Sequence, residues 1–336
     1  MESKSRSGPI IYYGLANEQF TLKQLIDYGV AVEKAGFDGV WTSDHFQPWQ
    51  PNEGHCGSAW ALLAALSQRT SRIQIGTSVT CPIFRYCPSV VAQVWASLSM
   101  LAPNHLFLGV GTGENLNEGA AGGGWAAYDE RAARLIEAVK IIRKLWKGNQ
   151  VEFIGRFWSI DGKLYDPPTS SIPIYVAASG PKSARLAGLY GDGLITGAPF
   201  LKTCPELKTA WEEAIQKNDE GSKIKTMLVE HRAFVGDKKD AMDVAEKWRF
   251  TPKAWEAGYY DNISPRDIQA RAEKEINISK VIEGWTISED PGDFARDFRE
   301  LKSLGATHIL LNVGATDQLG AIDFFGREVL PALRES

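Results

Sequence analysis

Short apolar segments alternate with longer amphipathic segments along the whole chain. The short segments are rich in Val, Ile and aromatic residues and predict β-strands, whereas the longer ones repeat apolar residues every three or four positions and predict helices. The predicted strands cover residues 9–16, 38–43, 73–80, 105–111, 172–178, 194–196, 227–235 and 308–313. The first four helices are expected to begin near Leu22, Ala59, Pro88 and Tyr128. Strands that alternate with helices in this number predict an α/β fold, a closed (β/α)8 TIM barrel.

Two segments depart from this alternation. Residues 151–168 combine short alternating stretches with turn residues and predict a β-hairpin attached to the barrel. Residues 251–279 have no clear period and contain two prolines, so we expect an insertion that is helical and lid-like. The length of 336 residues would allow two domains, but barrels of this type often exceed roughly 250 residues. We therefore predict one domain over residues 1–336.

Composition and charge exclude several classes of protein. Hydrophobic residues make up 44% of the chain and charged residues 23%, which is typical of a soluble globular protein. The net charge is −4 and no basic run occurs, so a nucleic-acid partner is not expected. No apolar run reaches the roughly 20 residues that cross a membrane, and the first residues lack the apolar core of a signal peptide. We expect a cytoplasmic protein whose four cysteines are mostly buried small hydrophobic residues.

Polar residues follow the predicted barrel strands at the points where the strands end. The carboxyl ends of the strands meet at one face of such a barrel and form its active site. His45 is the candidate general base, because histidine titrates near neutral pH, and Glu114 is the candidate second proton-transfer group. A structural histidine hydrogen-bonded in the core is the alternative for His45. The set of strand-end residues comprises Glu18, Gln19, Asp44, His45, Ser78, Thr80, Thr112, Gly113, Glu114, Ser179 and Gly180.

Known ligand-binding motifs are mostly absent. The run GVGTGE at residues 109–114 lacks the third glycine of a dinucleotide loop, and we interpret it as a strand end that lets backbone approach a flat ligand. Ser179, Gly180 and Pro181 begin a predicted helix, where a phosphate site and a plain N-cap are equally compatible with the local sequence. HExxH, GxxxxGK[ST] and GxSxG do not occur. No metal site is expected.

Four segments together resemble one known family. They read TSDHFQPW at 42–49, GTSVTCPIFRYCP at 76–88, FLGVGTGENLNE at 107–118 and AASGPKSARLAGLYGDG at 177–193. The sequence resembles the deazaflavin-dependent branch of the bacterial luciferase-like superfamily over about residues 13–333. It is most similar there to the coenzyme F420-dependent glucose-6-phosphate dehydrogenases, the F420-dependent secondary alcohol dehydrogenases and the hydroxymycolate dehydrogenase group.

The resemblance implies a homodimeric (β/α)8 barrel that holds F420 at the carboxyl ends of its strands. It further implies that His45 deprotonates the substrate hydroxyl, that Glu114 protonates the cofactor ring, and that Trp49 flanks the substrate. Ser78 and Val79 match the place of a non-prolyl cis peptide bond in this family. The positions that match its cofactor contacts are Asp44, Ser78, Val79, Thr112, Gly113, Asn117, Ser179, Gly180 and Pro181. Glu18 matches a residue on the substrate side.

The substrate site departs from the sugar-phosphate enzymes of the family. Those enzymes bind the substrate phosphate with three basic side chains, and Phe200, Tyr260 and Gly284 occupy the matching positions here. A phosphate dianion without a compensating charge would be costly in an apolar pocket, so we expect an uncharged alcohol as the substrate. The lysines that could substitute are Lys202, Lys253 and Lys280. The alternatives are a glucose-6-phosphate dehydrogenase, an FMN-dependent monooxygenase and a cofactor-binding protein without catalysis.

Overall fold

Eight parallel strands form the closed barrel of the computed structural model, which describes residues 8–218 and 226–334. The strands of the described residues are β1 Ile10–Gly14, β2 Gly39–Thr42, β3 Gln74–Thr80, β4 Leu106–Val110, β5 Val151–Ile154, β6 Ser159–Gly162, β7 Ile174–Ala177, β8 Gly193–Gly197, β9 Thr226–Val235, β10 Thr286–Ser288 and β11 His308–Val313, of which three (β5, β6 and β10) lie outside the barrel. The order around the barrel is β1, β2, β3, β4, β7, β8, β9, β11 and back to β1. The predicted TIM barrel is therefore confirmed, and each of its strands ends within about two residues of the predicted bounds.

Helices cover the outside of the barrel. They are α1 Leu22–Ala35, α2 Ala59–Ser67, α3 Pro88–Leu101, α4 Asn115–Glu118, α5 Tyr128–Leu145, α6 Pro181–Tyr190, α7 Ala198–Thr203, α8 Pro205–Gln216, α9 Lys238–Ala245, α10 Ala257–Tyr260, α11 Pro265–Glu275, α12 Ile278–Val281, α13 Pro291–Ser303, α14 Gln318–Phe324 and α15 Leu330–Arg334. Local sequence sets several of their ends. Thr21 and Gln24 form a capping box at the start of α1, and Gly36 ends it with a φ of 88°. No helix in the described ranges is long and apolar enough to cross a membrane.

Three further features depart from or refine the alternation of strands and helices. Strands β5 and β6 pair antiparallel, so the predicted hairpin is confirmed. The insertion at 251–279 is helical as predicted, since it contains α10, α11 and the first residues of α12. Strand β10 was not predicted. It extends the sheet along the upper part of β9, where Thr286 pairs with Ala233.

A buried histidine lies between β9 and β10 on the outer face of the barrel. Its Nε2 is 2.6 Å from the hydroxyl of Thr286, and that hydroxyl donates to Asp297 of α13. Nε2 therefore carries the proton in the neutral ring of His231, and the buried Nδ1 has no hydrogen-bond partner among the described residues. Burial lowers the pKa of His231 to about 4, because a second ring proton would have no acceptor.

Buried residues form three clusters. The largest lies between the barrel and its helices and contains residues such as Leu25, Leu63 and Trp95. The second fills the barrel interior, and we call it the barrel floor: Tyr12, Trp41, Phe107, Tyr175, Ile195, Leu228 and Leu310. The third, which we call the insertion cluster, packs the insertion onto the carboxyl ends of the strands: it includes Trp49, Leu116, Phe234, Trp248, Phe250, Tyr259 and Ile268. The space between floor and insertion cluster is the barrel mouth.

The cysteines differ from expectation. Only Cys81 is buried, while Cys56, Cys87 and Cys204 are partly exposed, and all four are free thiols. Burial raises the pKa of Cys81 well above its usual value, and the charge of Glu114 adds to this effect. The expectation of mostly buried cysteines was therefore wrong for three of the four.

Candidate active site

His45 lies in the loop after β2 and faces a carboxylate from the loop after β1. Its Nδ1 is 3.6 Å from Oε1 of Glu18, and the hydroxyl of Ser43 donates to the same oxygen. The side chains of His45 and Glu18 are only 12% and 11% exposed. Because Nδ1 faces Glu18, Nε2 is the ring nitrogen left for a substrate. The arrangement suits a base whose positive form is stabilised by a neighbouring negative charge.

A second carboxyl group, that of Glu53, interacts electrostatically with Glu18. Glu53 is buried, and one of its oxygens accepts a hydrogen bond of 3.0 Å from the backbone of Gln50. Burial, and then the charge of Glu18, raise the pKa of Glu53 well above its usual value.

Glu114 is tied to the loop of His45 through one amide side chain. Asn117 donates a hydrogen bond of 3.2 Å to Glu114 and accepts one of 2.8 Å from the backbone N–H of Phe46. Asn117 is 2% exposed. Hydrogen bonds through Asn117 thus link the candidate acid to the backbone beside the candidate base and join the loops after β2 and β4. Glu114 itself is partly exposed.

Asp44 takes part in a buried network behind His45. Its carboxylate accepts hydrogen bonds from the hydroxyl of Thr80 at 2.7 Å, from Tyr86 at 3.1 Å and from Arg85 at 3.2 Å. The Asp44 side chain is 1% exposed, and it fixes the backbone that carries His45. Neither Arg85 nor Tyr86 was singled out from the sequence, although both lie in the segment 76–88 that carries the family resemblance.

The Ser78–Val79 peptide bond is cis, as the resemblance implies. The pairing of β3 with β4 shifts register between Thr77 and Thr80, around the same bond. Glycine at 111 makes room for this segment, because a Cβ there would lie 2.6 Å from the Val79 side chain. We interpreted the glycines of GVGTGE as places of close approach by a ligand. For Gly111 the structure provides a contact within the protein as the reason.

The loop after β4 is held by an arginine, which packs against two aromatic rings. Arg131 donates to the carbonyl of Thr112 at 3.1 Å, and its guanidinium lies 3.9 Å from the ring of Trp125 and 4.8 Å from the ring of Tyr260. Gly113, the next residue, has a φ of 70°, which favours glycine. Tyr260 therefore packs against Arg131, the side chain that holds the carbonyl of Thr112.

The start of α6 is open. Gly180 is its N-cap residue and Pro181 its first residue, and no side chain caps the helix. A Cβ at Gly180 would meet no atom within 4 Å. The free backbone N–H groups and the helix dipole at this end, with Ser179 beside them, can accept an anionic group such as a phosphate.

The three lysines that could have replaced the basic residues of the phosphate site are all in ion pairs. Lys202 lies 3.0 Å from Glu300, Lys253 lies 3.2 Å from Glu275, and Lys280 lies 2.7 Å from Glu283. Phe200 packs against the largest core cluster. Gly284 has a φ of 85° and open space around it. Each lysine that could have substituted for the missing basic residues is thus paired with a glutamate.

Trp49 connects His45 to the insertion. Its ring is 6.2 Å from the ring of His45 and stacks on Phe250 at 4.6 Å with an interplanar angle of 11°. The structure therefore brings Glu18, His45 and Trp49 together on one side of the mouth. It places Glu114 and Asn117 beside them, while Phe200 and Tyr260 lie on separate elements of the rim.

Two charged residues of the barrel mouth were missed from the sequence. Glu230 and Arg232 lie on β9 and form an ion pair of 3.3 Å. Side chains alternate between the two faces along a strand. Leu228 belongs to the barrel floor, so residues 230 and 232 face the interior as well. The mouth is therefore not the uniformly apolar pocket that we expected.

A closed barrel with a histidine and a glutamate at the carboxyl ends of its strands has the arrangement of a barrel enzyme. A family model described as luciferase-like monooxygenase matches residues 5–320. The chain belongs to this family, and the resemblance inferred from its sequence is confirmed.

Curated relatives of this chain include F420-dependent dehydrogenases. The F420-dependent hydroxymycolic acid dehydrogenase of Mycobacterium tuberculosis is 44% identical over 329 residues, which are 95% of this chain and 87% of that protein. The F420-dependent glucose-6-phosphate dehydrogenase of Intrasporangium calvum is 38% identical and covers 94% of this chain and 96% of its own. Among solved structures, an F420-dependent secondary alcohol dehydrogenase in complex with an F420-acetone adduct has a TM-score of 0.89 at 30% identity, covering 98% of this chain and 100% of that one.

Proposed function

We propose that this chain is an F420-dependent dehydrogenase that oxidises the carbinol of an uncharged alcohol. The observation that carries the proposal is the arrangement at the barrel mouth, in which His45 faces Glu18 and Asn117 links the loop of His45 to Glu114. The dehydrogenase names of the relatives support the same chemistry.

The chain's own residues fit a deazaflavin at this place. The open N-terminus of α6 at Gly180 suits its phosphate-bearing side, and the segment of Ser78 and Val79 with the backbone of Thr112 and Gly113 would border the ring. When bound, F420 supplies a hydride acceptor at C5 and a ring nitrogen that takes up a proton. The proposed cofactor contacts also include Ser179, Pro181 and Asn117. The proposed role of Asp44 is to position His45.

His45 takes the proton of the substrate hydroxyl. Nδ1 faces Glu18, so Nε2 accepts the proton, and the imidazolium that forms is stabilised by the carboxylate 3.6 Å away. The indole of Trp49, 6.2 Å from the imidazole between ring centres, would exclude water from that side of His45.

Glu114 supplies a proton on the cofactor side of the mouth. Asn117 holds one of its oxygens at 3.2 Å and is itself fixed by Phe46, so the carboxyl group has a defined direction. Positioned general acids and bases of this kind accelerate proton transfers by about 10²–10⁴-fold.

An uncharged substrate is supported by the charges around the mouth. Phosphate recognition needs unpaired cationic groups, and Lys202, Lys253 and Lys280 are each paired with a glutamate. Phe200 adds no charge at the rim. Glucose 6-phosphate remains the alternative substrate, since a 38% identical relative is named for it. An FMN-dependent monooxygenase is the alternative outside the dehydrogenases. The homodimer of the family is a further prediction, which light scattering tests.

The experiment follows the absorbance of oxidised F420 when purified protein is mixed with secondary alcohols or with glucose 6-phosphate. Reduction by alcohols and not by the sugar phosphate is expected. Reduction by glucose 6-phosphate alone would overturn the substrate assignment, and reduction by neither would overturn the dehydrogenase. His45→Ala is the matched variant, and full turnover by it would contradict the assigned base. A parallel reaction with FMN under air tests the oxygenase alternative.

A further inference from the structure

Strand β9 carries side chains from the barrel floor up to the insertion. Its even-numbered residues face the interior: Leu228 belongs to the floor and Phe234 to the insertion cluster. Val229 and Ala233, at odd positions, face the outer core. Glu230 and Arg232 therefore lie between floor and insertion cluster, which is the height of the mouth at which a substrate must sit.

Arg232 shares the mouth with His45 but stands on a different wall. It is the partner of Asn312 in the pairing of β9 with β11, and Gly314, two residues on, lies against Trp285 and Trp248. Trp248 belongs to the same cluster as Trp49, whose ring flanks His45. In the order β9, β11, β1, β2 the strand of Arg232 and the strand before His45 are three positions apart, so the two residues border the mouth from different sides.

The ion pair between Glu230 and Arg232 is partly accessible. The Nη2 of Arg232 lies 3.3 Å from Oε1 of Glu230, and the side chains keep 26% and 32% of their surface accessible. Because both face the barrel interior, this surface belongs to the mouth. The Nε of Arg232 is buried and has no hydrogen-bond partner among the described residues.

Stability does not explain such a pair. Charged groups removed from bulk water lose hydration, and two apolar side chains of similar size would be as stable or more stable at this place. The buried Nε without a partner adds a further cost. The accessible part of the pair can be completed by a ligand that enters the mouth.

We propose that Glu230 and Arg232 bind a second hydroxyl of the substrate, distant from the carbinol that is oxidised. The inference rests on the proposed function and narrows its substrate class to neutral diols and polyols. A hydroxyl both donates and accepts, so it can donate to the free oxygen of Glu230 and accept from Arg232. A carboxylate or phosphate would meet the charge of Glu230, and an amine would meet that of Arg232. The pair therefore selects against charged groups of either sign.

The test compares alcohols that share one secondary carbinol and differ only at the remote end. We would measure kcat and KM for 2-hexanol, hexane-1,5-diol and 5-hydroxyhexanoate, and for the corresponding compounds of the octane series. The wild-type protein should favour the diol of at least one length by about tenfold in kcat/KM, mainly through KM, because a remote contact contributes equally to ground and transition states. A binding isotherm of the diol to the protein, recorded by calorimetry, should show the same preference.

Glu230→Gln keeps the shape of the pair and removes its negative charge. We expect the variant to bind the hydroxy acid about tenfold more tightly than wild type, because Arg232 then faces a carboxylate without competition. Asp323→Asn is the control, since it breaks an exposed ion pair of 2.8 Å with Arg327 on an outer helix. Arg232→Gln is the second variant and should abolish the preference for the diol.

The outcomes separate the two proposals. Oxidation of 2-hexanol and of the diols with equal kcat/KM at both lengths would overturn the inference and leave the dehydrogenase intact. An unchanged selectivity of Glu230→Gln would overturn it as well, and if that variant does not fold, the wild-type ratio and Arg232→Gln decide. Failure to oxidise any of these alcohols would overturn the proposed function, and the inference with it.

Discussion

Replacing Glu18 by glutamine tests whether its charge assists the base. Oε1 of Glu18 and Nδ1 of His45 are 3.6 Å apart, and both side chains are largely buried. At an effective dielectric constant of about 20, opposite unit charges at this distance attract by about 4–5 kcal/mol. The hydroxyl of Ser43 and the amide dipole of the glutamine retain part of this stabilisation, so we expect Glu18→Gln to lose about 3–4 kcal/mol, a decrease of about 10²–10³-fold in rate.

The form of the decrease is as informative as its size. The imidazolium of His45 forms only as the hydroxyl proton is transferred, so kcat and kcat/KM should decrease together while KM changes little. The assay is steady-state reduction of F420 by an accepted secondary alcohol, with cofactor binding measured separately by fluorescence titration. Ser43→Ala, which removes only the hydroxyl bound to Glu18, should cost less than about tenfold. A kcat of Glu18→Gln within about threefold of wild type would refute the assigned role of this charge.

Three further predictions concern the acid, the substrate site and the outer wall. Glu114→Gln should reduce kcat by about 100-fold or more with F420 affinity retained, and near-normal turnover would exclude Glu114 as the acid. Phe200→Lys should raise kcat/KM for glucose 6-phosphate by about tenfold, and no increase would contradict our account of the missing phosphate site. The folded-state pKa of His231 is about 4 against 6.5 for an ordinary histidine, so the unfolded chain binds more protons between these values and the stability contribution of His231 is lost as the pH falls from 6.5 to 4. Between pH 6.5 and 4, the free energy of unfolding of His231→Gln, measured with denaturant, should therefore decrease by about 3 kcal/mol less than that of wild type. Burial raises the pKa of Glu118 to about 7, which contributes with the opposite sign, but this contribution is the same in both proteins and cancels in the comparison. Equal pH dependence of the two proteins would contradict it.

Periodicity in the sequence was sufficient for the barrel because each strand and helix has its own local pattern. The spacing of apolar residues, together with helix-start signals such as Pro88, located strands β1 to β4 and the helices that follow them to within a few residues. Strand β10 was missed because it has three residues and exists through its pairing with Ala233, a contact between distant parts of the chain. Pairing of this kind has no local signal.

The candidate site was predicted in part, and the missing part has one cause. His45, Glu114 and Glu18 follow strand ends, a position that can be recognised along the chain. Glu230 and Arg232 lie within a strand, where facing inward or outward depends on a register that only the assembled barrel fixes. The pairings of Lys202 and Lys253 with glutamates likewise join elements far apart in sequence, so their charges could not be discounted from the sequence alone.

The pairing of the first strand with the last determines when the site can exist during folding. Ile10 is the partner of His308, so the barrel closes by joining segments separated by almost the whole chain. Contacts of such long range impose a large loop-closure entropy and form late and slowly. Glu18 follows β1 and Arg232 lies on β9 beside β11, so neither reaches its place in the mouth before that closure. Regain of catalytic activity on refolding should therefore follow ring closure, after most of the helical signal has returned.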